Sequence, residues 1–420
     1  LVRILVTAVG SDGDINPMIE IARALLSRGH DVRFIANGSF AHKAEEVGLP
    51  FLPLGDSSLF QEVVSDPDLW HPRKGFSAVW RNINQSLPLS LELLEQNMEP
   101  GNTILVGTTL ALACRVLQEK SANSVPLATV HLSPACLISR YDPPQGPVSI
   151  ISPQTPQFLK DLYLSLVEVS MLENVCRDDV NRFRARFGLA PVKRIFARWL
   201  NSPDLVVLAF PEWYAQRQKD WPENLCYTGF PLFDRKQEQR LSDATRTFID
   251  AGAAPVVFTA GSAMAHSRDY FSHALKCVRA RNIRAIFVTR YPEVLPRHLP
   301  DNVLHASYEP FDHLFAEASV VSHHGGIGTS AQCLRAAVPQ LVCPFAHDQF
   351  DNARRLEALG VAREIRVEKP KQWAGKLGEL LDDPEVKVSC HKVKELMTVC
   401  PDPAARAAEI IEGLAKKLRK

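Results

Sequence analysis

Short apolar runs alternate with helical patterns from the start of the chain. Residues 3–8 are apolar and β-branched without polar alternation, the pattern of a parallel strand buried on both faces. The turn Gly10-Ser11-Asp12-Gly13-Asp14 breaks that run. Asn16-Pro17 then predicts a helix start, because proline lacks the N–H that would go unpaired in a first turn. Met18, Ile21, Ala22 and Leu25 predict one buried face continuing to about Ser27. Gly29 ends the helix, and residues 32–36 predict the next strand, completing a βαβ unit. Further strands are predicted at 103–107, 127–132 and 205–209. The Pro-rich stretch 141–156 reads as a loop suited to an acceptor pocket or a plain surface, followed by a long amphipathic helix near 158–187.

A second alternating series predicts strands at 256–259, 285–288, 303–306, 320–322 and 340–342, with helical patterns between. The polar segment 236–247 separates the two series and reads as a linker. The expected architecture is α/β with two consecutive Rossmann-like domains: an N-terminal one over 1–235 and a C-terminal one over 248–402. Residues 403–420 predict a C-terminal helix that packs back on the N-terminal domain, with Lys416, Lys417, Arg419 and Lys420 suiting its end. A length of 420 residues exceeds one comfortable core and agrees with two domains.

Composition narrows the function classes. A net charge of +1, without aromatics interleaved among basic clusters, argues against nucleic-acid binding. Nine cysteines without a Cys-x-x-Cys pair read as reduced thiols of a cytoplasmic protein, not a disulfide framework or zinc site. No stretch reaches the roughly 18 apolar residues of a membrane span. The opening residues read as a core strand, not a signal peptide, with only an initiator Met expected ahead of them.

The strongest chemical signal lies at 320–353. A strand runs into His323-His324-Gly325-Gly326-Ile327-Gly328-Thr329-Ser330 and then a helix. Glycines let the backbone approach a ligand, while free N–H groups and the helix dipole favour an anion. An imidazole there can donate to a phosphate oxygen. The following strand leads to Pro344-Phe345-Ala346-His347-Asp348-Gln349-Phe350-Asp351-Asn352-Ala353, whose Asp-Gln pair offers acceptors and donors for sugar hydroxyls.

Together these pieces resemble the donor-binding signature of nucleotide-sugar glycosyltransferases of GT-B fold, with two Rossmann-like domains facing across a cleft, in the family that includes the UDP-glucuronosyl/glucosyl transferases. The resemblance implies His324 as the diphosphate contact, with His323 beside it in the donor site. It implies Gly325, Gly326, Gly328 and Thr329 as the phosphate-binding turn, and Asp348, Gln349 and Asn352 as the sugar-contacting block. Gly261-Ser262 resembles the small-residue turn near the phosphates. Tyr308-Glu309-Pro310 stands where many members have Trp-x-Pro, so Tyr308 is expected to stack on the base. Phe311 replaces a Gln common in plant members.

The N-terminal loop follows the first strand at the carboxyl edge of its sheet, where such sheets bind ligands. Many members carry Gly-His-x-x-Pro here. This chain instead resembles the Gly-Ser-x-Gly-Asp branch of antibiotic, sterol and lipid glycosyltransferases, which implies Ser11 and Gly13 in the site and Asp14 as general base. Asp12 competes for that role, and a helix N-terminal charge is the structural alternative for Asp14. Segments 192–196, 210–211, 220–222 and 228–234 further resemble the rhamnosyltransferases of rhamnolipid synthesis. That likeness implies dTDP-rhamnose or UDP-glucose as donor substrate, no other cofactor, no metal, and a hydrophobic or lipid-like acceptor. Peripheral association with the inner membrane or a partner protein stays open, as does the oligomeric state.

Three other readings are kept: a nucleotide-sugar 2-epimerase-type isomerase, a non-catalytic nucleotide-sugar-binding partner of another transferase, and a dinucleotide oxidoreductase. The missing Gly-x-Gly-x-x-Gly counts against the last. Asp66-Pro67-Asp68 has metal-motif spacing but reads as a solvated turn, and His131 reads as structural ahead of lining an acceptor pocket.

Overall fold

Seven short strands form the first sheet: β1 (Arg3–Thr7), β2 (Asp31–Ala36), β3 (Phe51–Pro53), β4 (Thr103–Thr108), β5 (Leu127–His131), β6 (Leu205–Leu208) and β7 (Leu225–Tyr227). They pair in parallel in the order β3-β2-β1-β4-β5-β6-β7. The second sheet contains β8 (Val256–Thr259), β9 (Ala285–Val288), β10 (Val303–Ala306), β11 (Val320–His323), β12 (Gln340–Val342) and β13 (Ala362–Glu364). Its order is β10-β9-β8-β11-β12-β13, again all parallel. This is a computed structural model, and it describes residues 1–71, 74–147, 151, 155–233, 240–261 and 267–418. One unit comprises Leu1–Phe233 with Asp402–Lys420, and the other Asp234–Pro401.

The central strands are buried along their length, as parallel strands covered by helices on both faces must be. β3, β7 and β13 are edge strands that apolar patterning did not predict. They have three residues each and include residues that are not fully buried, so they carry too little apolar signal.

Two helix boundaries differ from expectation. The first helix spans Asp12–Ser27, starting four residues before Asn16. Ser11 is its extended N-cap, and Asp14 at the third helical position accepts the Ser11 N–H at 2.8 Å. A Ser-x-x-Asp cap therefore outweighs the proline signal. Pro17 lies inside the helix, where its missing N–H leaves the Gly13 carbonyl without its usual partner. The helix predicted near 158–187 is three consecutive segments. Gln157–Val167 and Asn174–Ala185 are α-helical, and Glu168–Glu173 between them is π-helical. Of the polar stretch 236–247, the first four residues lie outside the described ones. Asp243 already opens the helix Asp243–Asp250, whose N-cap Ser242 accepts the Thr245 N–H at 3.3 Å.

The chain returns to its first unit through the helix Pro403–Glu412, followed by a 3₁₀ segment at Gly413–Lys417. Ala407, Ala408 and Ile411 are fully buried, and this helix packs on Asp12–Ser27. Glu412 ties it down, accepting from Arg28 at 2.5 Å and pairing with His30 at 2.7 Å. Lys417 meets Asp204 at 2.6 Å. Among the described residues, no helix is long and apolar enough to cross a membrane.

The Arg28 hydrogen bond, aided by His30, holds the Glu412 carboxyl down at about 2. A depressed carboxyl stabilises the folded state above the unfolded value of about 4.3, and that contribution is lost as pH falls towards 2. Glu412→Gln should therefore lower Tm by about 2 °C at pH 7, the scale of a near-surface ion pair. The gap from wild type should close between about pH 4.5 and 2; a gap independent of pH would show that the charge is not what holds the helix.

Candidate functional site

In each sheet the strand order reverses at one place: between β1 and β4 in the first unit, and between β8 and β11 in the second. Loops leaving the carboxyl ends of the strands diverge there and open a crevice for ligands. The Ser11–Asp14 loop follows β1, the Gly261 turn follows β8, and the His323-His324-Gly325-Gly326 turn follows β11. Both stretches that stood out in the sequence thus lie at switch points.

In the second unit, the two histidines have different surroundings. His323 is fully buried and its nitrogens are both engaged. Its Nδ1 accepts the Gly325 N–H at 3.0 Å, so Nε2 carries the hydrogen and donates it to Gln340 Oε1 at 2.9 Å. Burial pushes its pKa down to about 4, so the ring is neutral and shapes the turn. This bond consumes the Gly325 N–H, so Gly325, expected in the phosphate-binding turn, has no N–H left for a ligand. Gly325 itself has φ of +87°, and a Cβ there would come within 2.9 Å of Val342 and 3.0 Å of the Gln349 carbonyl.

His324 is half-buried, and its Nδ1 is shut off from solvent with no hydrogen-bond partner among the described residues. Its ring lies between two glycines. A Cβ on Gly261, where φ is +96°, would approach the ring to 2.7 Å, and one on Gly326 would press still closer on Nε2. Burial, with His323 beside it, pushes its pKa down to about 3. The imidazole is therefore uncharged at physiological pH. Gly326 is the N-cap of the helix Ile327–Ala336 and has no side chain with which to cap it. The N–H groups of Ile327, Gly328 and Thr329 therefore have no intrahelical acceptor, leaving an anion-accepting end beside His324.

The Asp-Gln block is built around the same turn. Gln349 is buried, and its Oε1 accepts the N–H groups of Phe345 (2.8 Å) and Ala346 (3.1 Å). Its acceptor capacity is spent on the loop, which leaves only its amide N–H groups for a sugar, fewer contacts than the sequence implied. Asn352 is also fully buried. Its Nδ2 donates to the Gly325 carbonyl and to Asp348 Oδ2, both at 2.9 Å. Asn352 thus braces the glycine turn against Asp348. The partly exposed Asp348, N-cap of the helix Gln349–Ala358, is the acceptor of the block on the accessible side.

In the first unit, Asp12 pairs with the buried Lys43, which also donates to Asn16 Oδ1 at 2.8 Å. No sequence signal pointed to Lys43, a lone lysine on a six-residue helix. Asp14 turns back over its own N-cap: Ser11 N–H donates to Oδ2 at 2.8 Å, and the Ser11 hydroxyl lies 3.4 Å from the same oxygen. A Cβ on Gly10, where φ is +139°, would collide with that carboxylate. Gly13 is exposed within the first turn.

The remaining positions divide clearly. Tyr308 follows β10 and is 42% exposed, with the Arg290 guanidinium 5.9 Å from its ring centre. Ser262 lies outside the described residues. His131 is structural: its Nδ1 meets Thr109 Oγ1 at 2.9 Å, its Nε2 meets Asn201 Oδ1 at 2.7 Å, and burial lowers its pKa to about 4. Asp66 accepts the Asp68 N–H at 2.9 Å and pairs with Arg81 at 3.1 Å, forming a turn.

Comparison with known proteins agrees with this layout. The model of the glycosyltransferase family 28 N-terminal domain matches residues 4–92. That of the C-terminal domain of erythromycin biosynthesis protein CIII-like proteins matches residues 284–414. The glycosyltransferase GtfE of Amycolatopsis orientalis is 26% identical over 97% of this chain and 97% of its own. The O-mycaminosyltylonolide 6-deoxyallosyltransferase of Streptomyces fradiae is 25% identical over 94% of this chain and 93% of its own. The crystal structure of the kitacinnamycin glycosyltransferase superposes with a TM-score of 0.75 at 20% identity, covering 99% of both chains. The two all-parallel sheets, superposing on this neighbour over nearly their whole length, have the GT-B fold. The protein is a GT-B glycosyltransferase. These likenesses do not separate the rhamnolipid subgroup from its neighbours.

The glycine slot makes a direct prediction. Gly328 lies in the helix with open space where a Cβ would go, so Gly328→Ala should leave Tm unchanged or raise it, helical Gly→Ala being worth roughly 0.5–1 kcal/mol. Gly326→Ala should lower Tm and weaken nucleoside diphosphate binding at least tenfold by displacing the imidazole. Equal behaviour of the two variants in thermal melts and calorimetry would contradict the slot.

Proposed function

We propose that the enzyme transfers a hexose from a dTDP- or UDP-sugar to a hydroxyl of a hydrophobic small molecule, with inversion at the anomeric carbon. The observation that carries this reading is the neutral His324 ring, one nitrogen buried and unpaired, beside an uncapped helix N-terminus. An unpaired buried nitrogen costs about 1–3 kcal/mol. A diphosphate would recover that cost by hydrogen bonding to the imidazole while its charge is met by the N–H groups at 327–329. Asp348, held by Asn352, is the acceptor for the sugar hydroxyls. Tyr308 stacks on the base.

In the transfer, the acceptor oxygen bonds to the anomeric carbon as its proton passes to a carboxylate. The bond from that carbon to the phosphate oxygen breaks, and its electron pair leaves with the diphosphate. Asp14 is assigned as the base from the likeness of its loop to the Gly-Ser-x-Gly-Asp branch, while Asp12 pairs with Lys43. His324 and the helix start bear the charge on the leaving group, so activity is expected to persist in EDTA. A hydrophobic acceptor is supported by the helix Gln157–Val167, where Phe158, Leu162 and Leu166 are all more than half exposed along one face. The acceptor of the Streptomyces fradiae relative, a glycosylated tylonolide, also favours a natural-product aglycone.

Asp14→Asn should bind nucleotide with wild-type affinity but lose turnover by about 10²–10⁴, the range of general-base catalysis. Near wild-type turnover would remove Asp14 from the role, and an equal loss in Asp12→Asn would leave the two aspartates undistinguished. His324→Ala should raise the donor KM and lower kcat. Since the ring is neutral above about pH 3, the wild-type profile should show no inflection between pH 5 and 8 that His324→Ala removes. A screen of dTDP- and UDP-sugars against hydrophobic acceptors, read by mass spectrometry, tests the substrate assignment. Consumption of donor without any acceptor would favour an isomerase.

A further inference from the structure

Glu309 is a carboxylate buried to 2% exposure, with no cationic partner among the described residues. Burying a charge is costly unless hydrogen bonds compensate it. Three donors do so, all at the start of the helix Asp243–Asp250. Oε2 accepts the Ser242 backbone N–H at 3.1 Å. Oε1 accepts the hydroxyls of Ser242 and Thr245, each at 2.5 Å. The helix N-terminus adds its dipole to the same carboxylate.

The neighbours of Glu309 explain the arrangement. Pro310 restricts Glu309 to extended backbone, in which adjacent side chains project to opposite sides. Glu309 is therefore turned inward while Tyr308, one residue earlier, is 42% exposed. The helix that receives Glu309 is itself anchored, since Ile249 packs with Val257, Ile286, Ala306 and Leu314 in the core of the second unit. Tyr308 thus sits on a short loop, fixed on one side by β10 and on the other by a buried carboxylate.

We propose that Glu309 is a positioning residue for the nucleoside half of the donor site. By pinning the loop to the helix Asp243–Asp250, it holds the Tyr308 ring where the base stacks, without touching the nucleotide. The inference rests on the reading that Tyr308 stacks on the base. It adds the residue that sets how well the ring is placed, and so how tightly a nucleotide is held.

Affinity for dTDP and UDP should be measured by calorimetry, and kcat and KM with the sugar donor, in Glu309→Ala, Glu309→Gln, Ser242→Ala, Tyr308→Ala and the Glu309→Ala/Tyr308→Ala double variant. Glu309→Ala should raise Kd and KM about tenfold with kcat within twofold of wild type. Glu309→Gln should restore affinity to within threefold, because its oxygen can accept the Ser242 N–H while its amide donates to the two hydroxyls. The double variant should bind no more weakly than Tyr308→Ala alone, since both losses act through one ring. Additive losses, or a Glu309→Ala enzyme with wild-type KM, would overturn the proposal. If Tyr308→Ala itself binds nucleotide normally, the stacking reading fails, which is a distinct result. Should Glu309→Ala fail to fold, Ser242→Ala decides the matter: about a threefold rise in KM at constant kcat supports it, and no change overturns it.

Discussion

An imidazole can rest against the N-terminus of a helix only while it stays uncharged, and only where the backbone around it has no Cβ. His324 meets both conditions. Gly261 and Gly326 leave room for the ring, burial keeps it neutral, and the helix Ile327–Ala336 is left uncapped beside it. Much else in the second unit supports this placement. His323 spends both nitrogens to fix the turn, and Asn352 reaches back from the next helix to hold the Gly325 carbonyl. Two buried nitrogens in this region, His324 Nδ1 and Gln340 Nε2, have no hydrogen-bond partner among the described residues. That is the pattern expected where stability is given up for binding.

The first unit applies the same physics differently. Its loop at the switch point offers two carboxylates within three residues, and the fold gives them different partners. Lys43 takes Asp12, while Asp14 closes its own helix start through Ser11. Capping and catalysis are compatible for a carboxylate, because one oxygen can hold the cap while the group stays at the loop surface. The cap also orients the side chain, which a base needs.

The main architecture was legible because parallel strands buried on both faces must be continuous apolar runs. β8, β9 and β12 were predicted with their observed bounds for that reason, and the four-residue edge strand β10 matched too, although its middle is only half-buried. Edge strands of three residues were not, since half-exposed backbone imposes no such pattern. The glycine turn and the Asp-Gln block were legible as chemistry, but their division of labour was not. Gln349, Asn352 and His323 are as prominent in sequence as Asp348 and His324, yet all three serve mainly to hold the turn. Only hydrogen-bond partners, which arise from residues distant along the chain such as Gln340, separate structural from accessible groups. Lys43 and Glu309 show the converse: buried charges whose partners, Asp12 and Ser242, no local pattern reveals.

On the reading proposed above, His324 is a neutral imidazole that receives a diphosphate. Histidine-selective ¹⁵N NMR tests it directly, with the His324 signal assigned by its loss in a His324→Gln variant. The ring should stay neutral from pH 8 down to below pH 5, and its nitrogen shifts should move on adding dTDP or UDP but not the corresponding nucleoside. A His324 ring that titrates near 6.5, or that responds alike to nucleoside and diphosphate, would contradict it.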